Sequence, residues 1–482
     1  MLDGKTVELF DARPTESLLQ CLRERFGRHD VKEGCAEGDC GACSVVLGEL
    51  QGDRIGYRAI NACIRMVPTV DGREVVTAAS LSAPGAPLHP VQQAMVDCHG
   101  SQCGFCTPGF VMSLFALWLN RPDADRDAVL DALSGNLCRC TGYRPIIDAG
   151  VAMNTLPEPD GPWSRSDAQS QARRGRLAAL QRSESLNIQS EAGLLAPRSL
   201  DELAEALLAH PESLVLAGAT DIGLWVNKQL KALPRLVYLG EVAELRSLSR
   251  DADGAQVIGA AVPLTEAFQA LVAEWPELQE LAHRFASPPV CNSGTLCGNI
   301  ANGSPIGDSM PVLLALGATL ELRRGAQSRR LPLDQFYLGY RRTALEPGEF
   351  IVSVRVPARR RGQSLWAWKV SKRWDQDISA ICAAVWLEES ATGVTQARLG
   401  FGGMAATPER ARRAEAALTG KPLGADSVAA AARALSDDFA PMTDLRATAD
   451  YRLKVAGNLL QRLLLSRQQP DLPLRVEAVS AS

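Results

Sequence analysis

Nowhere in the 482 residues do about eighteen apolar residues follow one another unbroken, the usual mark of a membrane-spanning helix. The N-terminal segment also lacks the basic flank and apolar stretch of a secretory signal, so a cytoplasmic protein is expected. Excess charge is missing too: 51 Lys and Arg against 55 Asp and Glu leave a formal net charge of −4. Lys and Arg form no long block, which removes the field that recruits nucleic acid or an anionic membrane. No Walker A string occurs. The five histidines are scattered, and no C-x-H pair offers the imidazole ligands of a Rieske centre.

What the chain does hold is cysteine, thirteen in all. In a reducing compartment such a number reads as metal binding before disulfides. Cys35, Cys40 and Cys43, with Cys63 further on, give C-x4-C-x2-C plus one distant cysteine. Plant-type ferredoxins hold a [2Fe–2S] cluster with that spacing. Gly34, Gly38 and Gly41 let the intervening loop fold tightly, bringing backbone N–H groups toward the sulfurs. Cys103 and Cys106, then Cys138 and Cys140, form C-x2-C followed by C-x-C, four thiolates for a second cluster. Structural zinc is the alternative for both sets, although zinc ribbons more often repeat C-x2-C. Cys21, Cys98, Cys291, Cys297 and Cys382 are left as small hydrophobes.

A chain of this length exceeds one core and divides into about three or four domains. The fold class expected is multidomain α+β. Residues 1–80 mix strands (Lys5 to Phe10, Ser44 to Leu47) with one helix (Ser17 to Phe26) around the first cysteine loop. Residues 81–156 turn helical: Val91 to Cys98, Pro108 to Leu119, Arg126 to Leu133 and Pro145 to Met153. Residues 157–193, rich in Pro, Asp, Ser, Arg and Gln, read as a surface linker and the main boundary. Residues 194–361 alternate strands and helices, and 362–472 form a last α+β unit.

The strings QCGFCTPG (Gln102 to Gly109) and NLCRCTGYRP (Asn136 to Pro145) resemble the helical [2Fe–2S] domain of the molybdenum hydroxylases. The order of the parts along residues 1–470 is similar to that of the xanthine dehydrogenases within that family. The resemblance implies a β-grasp ferredoxin domain, a four-helix [2Fe–2S] domain, a two-part FAD domain of the vanillyl-alcohol-oxidase type, and a C-terminal flavoprotein domain. Two Gly-rich segments, Val215 to Gly223 and Ser293 to Gly303, are each weak signals alone, since such loops are usually turns. By resemblance, Val215, Leu216, Ala217, Gly218, Ala219, Thr220, Asp221 and Ile222 form the first flavin loop. Asn292 to Asn299 and Ser304 to Asp308 match the second, usually written TIGGN and SPISD. Thr295 is then assigned to the diphosphate and Asp308 to the ribose and adenine side, with Gly298, Asn299 and Ser304 in the same strings. Phe285, Ile351 and Lys369 fall where the family packs or bonds the flavin. Tyr340 and the Lys369 to Ile378 loop resemble its wall where NAD⁺ approaches, with Trp374 and Asp375 equally readable as surface residues. The chain departs from the family at Cys297, where glycine is usual, and at Gly307, where serine is usual.

Gly400, Gly402 and Ala405 satisfy G-x-G-x-x-A, but no strand follows to present an acid to a ribose, so a Rossmann site is not expected. The resemblance implies an electron wire rather than a purine site. Electrons from a molybdenum cofactor in a large partner subunit would pass through the Cys103 set, the Cys35 set, FAD and finally NAD⁺, during oxidation of hypoxanthine or xanthine to urate. It also implies two copies of each subunit and no catalytic residue for purine in this chain. An aldehyde or N-heterocycle substrate is the alternative within the family, and a zinc-stabilised structural protein is the alternative outside it.

Overall fold

The computed structural model describes residues 1–161, 163–190, 192–472 and 474. Two compact units emerge: the first comprises Met1–Ala243, Pro263–Thr265 and Ala286–Thr295, and the second Glu244–Val262, Glu266–Phe285 and the chain from Leu296. Neither division falls in 157–193, and the span expected as one FAD-binding domain contributes to both units.

In the first unit, α1 (Leu18–Gln20) opens on a capping box: Gln20 N–H donates to Ser17 Oγ at 3.2 Å and Ser17 N–H to Gln20 Oε1 at 3.4 Å. A wider helical turn, Cys21–Arg25, continues it. Leu18, Leu19 and Leu22 pack onto a three-stranded sheet of β1 (Ser44–Gln51), β2 (Arg54–Asn61) and β3 (Glu74–Val76), ordered β2-β1-β3. The strand expected over Lys5 to Phe10 does not form. Leu2 bridges Val75 in parallel and turns back on Lys5, which leaves Phe10 92% exposed.

The helical reading of the next stretch holds. The helices are α2 (Pro90–Asp97), α3 (Thr107–Asn120), α4 (Arg126–Leu133) and α5 (Arg144–Ala152). Phe110, Phe115 and Trp118 of α3 are wholly buried, each contributing about 1.5–3 kcal/mol of apolar transfer. The expected linker contains a helix, α6 (Asp167–Ala179). Its composition is polar, but Leu177 and Arg173 are buried, and the Arg173 guanidinium lies 5.4 Å from the Trp163 ring and 5.6 Å from that of Tyr57 on β2. Tertiary contact orders what composition alone leaves loose.

The unit closes with a four-stranded sheet of β4 (Leu186–Ile188), β5 (Leu194–Ala196), β6 (Leu214–Leu216) and β7 (Leu236–Tyr238), ordered β4-β5-β7-β6. It is flanked by α7 (Leu200–Ala209), and α8 (Ile222–Asn227) follows β6.

The second unit holds β8 (Leu248–Arg250), β9 (Gln256–Gly259), β10 (Thr319–Arg324), β11 (Gln327–Pro332), the hairpin β12 (Tyr337–Gly339) and β13 (Arg342–Thr343), and β14 (Phe350–Val356). Apart from the hairpin these form one antiparallel sheet ordered β11-β10-β14-β9-β8. A second antiparallel sheet comprises β15 (Gln363–Val370), β16 (Ile381–Ser390), β17 (Gly393–Gly402) and β18 (Glu409–Arg410), in sequential order. Helices Arg412–Leu418, Ala425–Asp438 and Ala449–Gln468 cover it with Ala431, Leu435, Leu460 and Leu463. Glu409 and Arg410 pair with β17, so the first of these helices begins only at Arg412. At Gly400 a β-carbon would stand 2.1 Å from the Pro311 carbonyl oxygen, so this glycine answers to packing. No described helix is long and apolar enough to cross a membrane.

Candidate iron–sulfur and flavin sites

The first cysteine set lies on the loop between α1 and β1, with Cys63 just past β2. The Cys35 thiol reaches both Cys40 and Cys63, and Cys43 reaches Cys63. Cys43 and Cys63 are buried, and the Cys40 N–H points at the Cys35 sulfur at 3.4 Å. Gly38 and Gly41 hold positive φ (83° and 69°), and a β-carbon at Gly34 would meet the Cys40 sulfur at 2.9 Å. The loop is thus wound so closely about its own sulfurs that glycine is required.

The second set pairs Cys103 with Cys140 and Cys106 with Cys138, from the turn before α3 and the turn before α5. Cys103 and Cys140 are exposed, beside the half-exposed rings of Phe105 and Tyr143. Tyr143 reaches this turn at a positive φ of 69°, and its hydroxyl accepts from Cys138 N–H at 3.1 Å. No three described His, Cys, Asp or Glu side chains close on a single ion, whereas the four ligands of a [2Fe–2S] cluster are shared between two irons. The donor sets, four thiols each on glycine-opened loops, fit such clusters.

These two loops are interlocked. Leu137 N–H donates to the Cys40 carbonyl oxygen at 3.0 Å, and Asn136 Nδ2 donates to Gly41 O at 3.1 Å. Asn136 Oδ1 accepts from Ser113 on α3 at 2.6 Å, which fixes the amide's orientation. Spacing shows the cysteines but not Asn136, because a lone asparagine carries no pattern until the loop it fastens is in place.

Of the expected flavin residues, the first unit brings together Val215–Ile222 and the segment ending at Thr295. A β-carbon on Gly218 would lie 2.0 Å from Ser293 O, and one on Gly294 would lie 3.2 Å from Thr220 Oγ1. The two Gly-rich segments therefore meet backbone to backbone. Ala219, between them, is held at φ 63°.

In the second unit Lys369 Nζ forms a buried ion pair with Asp308 at 2.8 Å and also donates to Phe285 O at 3.4 Å. Asp308 accepts from Ser379 Oγ at 2.6 Å, and Cys382 Sγ donates to its carbonyl. Burial and the Asp308 carboxylate push the Cys382 thiol well above its ordinary pKa, so it stays protonated. Asn299 Oδ1 accepts from Ser309 at 2.6 Å, and Ser304 Oγ from Ile306 N–H at 3.4 Å. Gly298 lies on the helix Leu296–Asn302, beside Cys297, whose thiol burial pushes up to about 12. Ile351 sits buried in β14 opposite Leu322, and Tyr340 lies exposed at the β12–β13 hairpin. The Trp374 ring lies 4.1 Å from the Arg284 guanidinium, which also donates to the Trp374 and Lys369 carbonyls. Sequence reading missed Ser379 and Arg284, since both lie outside any motif.

Family models match along the whole order of the parts. A 2Fe-2S iron-sulfur cluster binding domain covers residues 1–67, a [2Fe-2S] binding domain 77–150, the FAD binding domain in molybdopterin dehydrogenase 188–359, and the CO dehydrogenase flavoprotein C-terminal domain 366–467. Xanthine dehydrogenase of Emericella nidulans is 34% identical over 478 residues, covering 87% of this chain and 35% of the relative. Xanthine dehydrogenase/oxidase of Mus musculus is 32% identical, covering 84% and 34%. The chain thus spans about a third of the length of these curated relatives. Among solved structures, carbon monoxide dehydrogenase from Hydrogenophaga pseudoflava matches with a TM-score of 0.53 at 31% identity, covering 57% of this chain and 96% of that one. Quinoline 2-oxidoreductase from Pseudomonas putida 86 matches with a TM-score of 0.51 at 27% identity and the same coverages. With two [2Fe–2S] domains, an FAD domain and its C-terminal partner in this order, the chain belongs to the molybdenum hydroxylase family, as its iron–sulfur and flavin portion.

Proposed function

We propose that this chain is the electron-transfer portion of a xanthine dehydrogenase, working with a large molybdopterin-binding subunit in the cytoplasm as two copies of each. Iron–sulfur clusters exchange single electrons and nicotinamide takes a hydride, and FAD supplies the chemistry that joins the two. Cys103, Cys106, Cys138 and Cys140 would hold the cluster that receives electrons from the partner. Cys35, Cys40, Cys43 and Cys63 would hold the next. Val215–Ile222 with Thr295, and Phe285, Gly298, Asn299, Ser304, Asp308, Ile351 and Lys369, would bind the FAD, with Tyr340 toward NAD⁺. The observation that carries this reading is the Leu137 N–H to Cys40 carbonyl bond, a 3.0 Å contact between one cysteine loop and the other. Similarity to xanthine dehydrogenases over most of the chain supports the substrate.

The test is iron, sulfide, flavin and molybdenum analysis of the native complex purified through this chain, followed by xanthine oxidation with NAD⁺. About four iron and four sulfide per chain, the content of two all-cysteine [2Fe–2S] sites, are expected with FAD and a molybdenum subunit. Zinc in place of iron defeats the reading. A molybdenum complex that turns over quinoline or an aldehyde but not xanthine moves the substrate to the second reading, which likeness to quinoline 2-oxidoreductase favours.

A further inference from the structure

The helix α8 leaves the first Gly-rich flavin segment and runs directly onto the loop of the first cysteine set. A β-carbon on Gly223 would meet the Ile64 carbonyl oxygen at 2.7 Å, so the helix lies against the backbone one residue past Cys63. Leu224 packs into the core that holds Cys43 and Cys63. At the end of the helix, Asn227 Nδ2 donates to the Cys63 carbonyl at 2.7 Å and to the Ala36 carbonyl at 3.2 Å. Lys228 adds an ion pair to Glu37 at 3.8 Å.

Ala36 directly follows Cys35 and stands at φ 55°, a left-handed conformation in which the β-carbon of an alanine crowds the following carbonyl oxygen. Such strain persists only where the surroundings over-determine it. The Asn227 amide is what grips this peptide, and with the same group it grips the peptide of Cys63, from the far end of the ligand set.

Building on the reading of the Cys35 set as a [2Fe–2S] site, we propose that Asn227 is a positioning residue for that cluster. Its amide holds the peptides beside Cys35 and at Cys63 in the geometry the two thiolates need, and it fastens them to the helix that begins at the flavin loop. Outer partners of this kind orient metal ligands, and their loss weakens metal retention. The chain thereby couples the position of the cluster to that of the flavin segment through one short helix.

The experiment uses the full chain in its native complex. In Asn227→Ala, the electron paramagnetic resonance signal of the reduced first site, identified by its loss in Cys40→Ser, should shift in g values. Iron at that site should pass to a chelator several-fold faster, while the second site's signal stays unchanged. Adding Ala36→Gly should move the signal and the iron release part of the way back to the parent, because glycine adopts the left-handed turn at 36 without strain while the grip on the Cys63 carbonyl stays lost. If Asn227→Ala does not accumulate folded, Asn227→Ser, too short to span both carbonyls, takes its place. Unchanged g values and iron release, or no partial restoration by Ala36→Gly, overturn the proposal. Absence of iron and sulfide from the parent protein instead removes the cluster reading on which it rests.

Discussion

A β-carbon on Gly41 would stand 2.2 Å from the carbonyl oxygen of Gly135. Gly41 belongs to the first cysteine loop and Gly135 precedes Cys138, so the closeness of the two candidate clusters depends on the absence of one methyl group.

Gly41→Ala should therefore lose iron from both sites, not one. The φ of 69° and the backbone clash together should cost more than about 3 kcal/mol. Gly52→Ala is the control: its φ is 63° with open space around it, so it should cost only about 1–2 kcal/mol and keep full iron. Iron content and urea unfolding of the two variants check this.

Breaking the Lys369–Asp308 pair leaves a buried charge alone. Lys369→Met should destabilise the fold by about 3–5 kcal/mol and lower the FAD content of the purified protein. Combining it with Asp308→Asn should cost less than the sum of the single changes, as a double-mutant cycle by chemical denaturation would reveal.

His89, edge-on to Phe115 and Trp118, is wholly buried, and burial lowers its pKa from 6.5 to about 4. A base with a depressed folded pKa binds its proton more readily when unfolded. Its contribution is complete above 6.5 and is lost as pH falls from there through 4. Stability should drop by about 2 kcal/mol between about pH 7 and about pH 5 on account of this residue. His89→Gln should show a correspondingly flatter dependence in urea titrations, and an equal slope would refute the assignment.

Arg173→Ala should release α6. The guanidinium donates to Ser164 O at 3.1 Å and stands over both Trp163 and Tyr57. The variant should be cut by protease between 157 and 185 much faster than the parent, while the cluster content is retained.

Local pattern made some of this legible in the sequence. Cysteine spacing marked both candidate clusters, because ligands to one group must recur at short intervals on a loop. Apolar residues at helical period marked α3 and α4 almost to the residue, since a face that is buried along its length repeats every turn. Local composition failed at Lys5 to Phe10, a β-rich run that forms no strand, since pairing depends on distant partners and only Leu2 bridges Val75 there.

By itself, then, the sequence determined the thiol sets, the order of the parts and the family, all of which depend on residue type and spacing along the chain. Only the tertiary structure decided that a polar segment becomes α6, that Asn136 and Asn227 fasten the cysteine loops, and that the flavin-region residues divide between two units. The physical reason is common to all three: the partner in each contact is far away in sequence, so no local period or propensity encodes it.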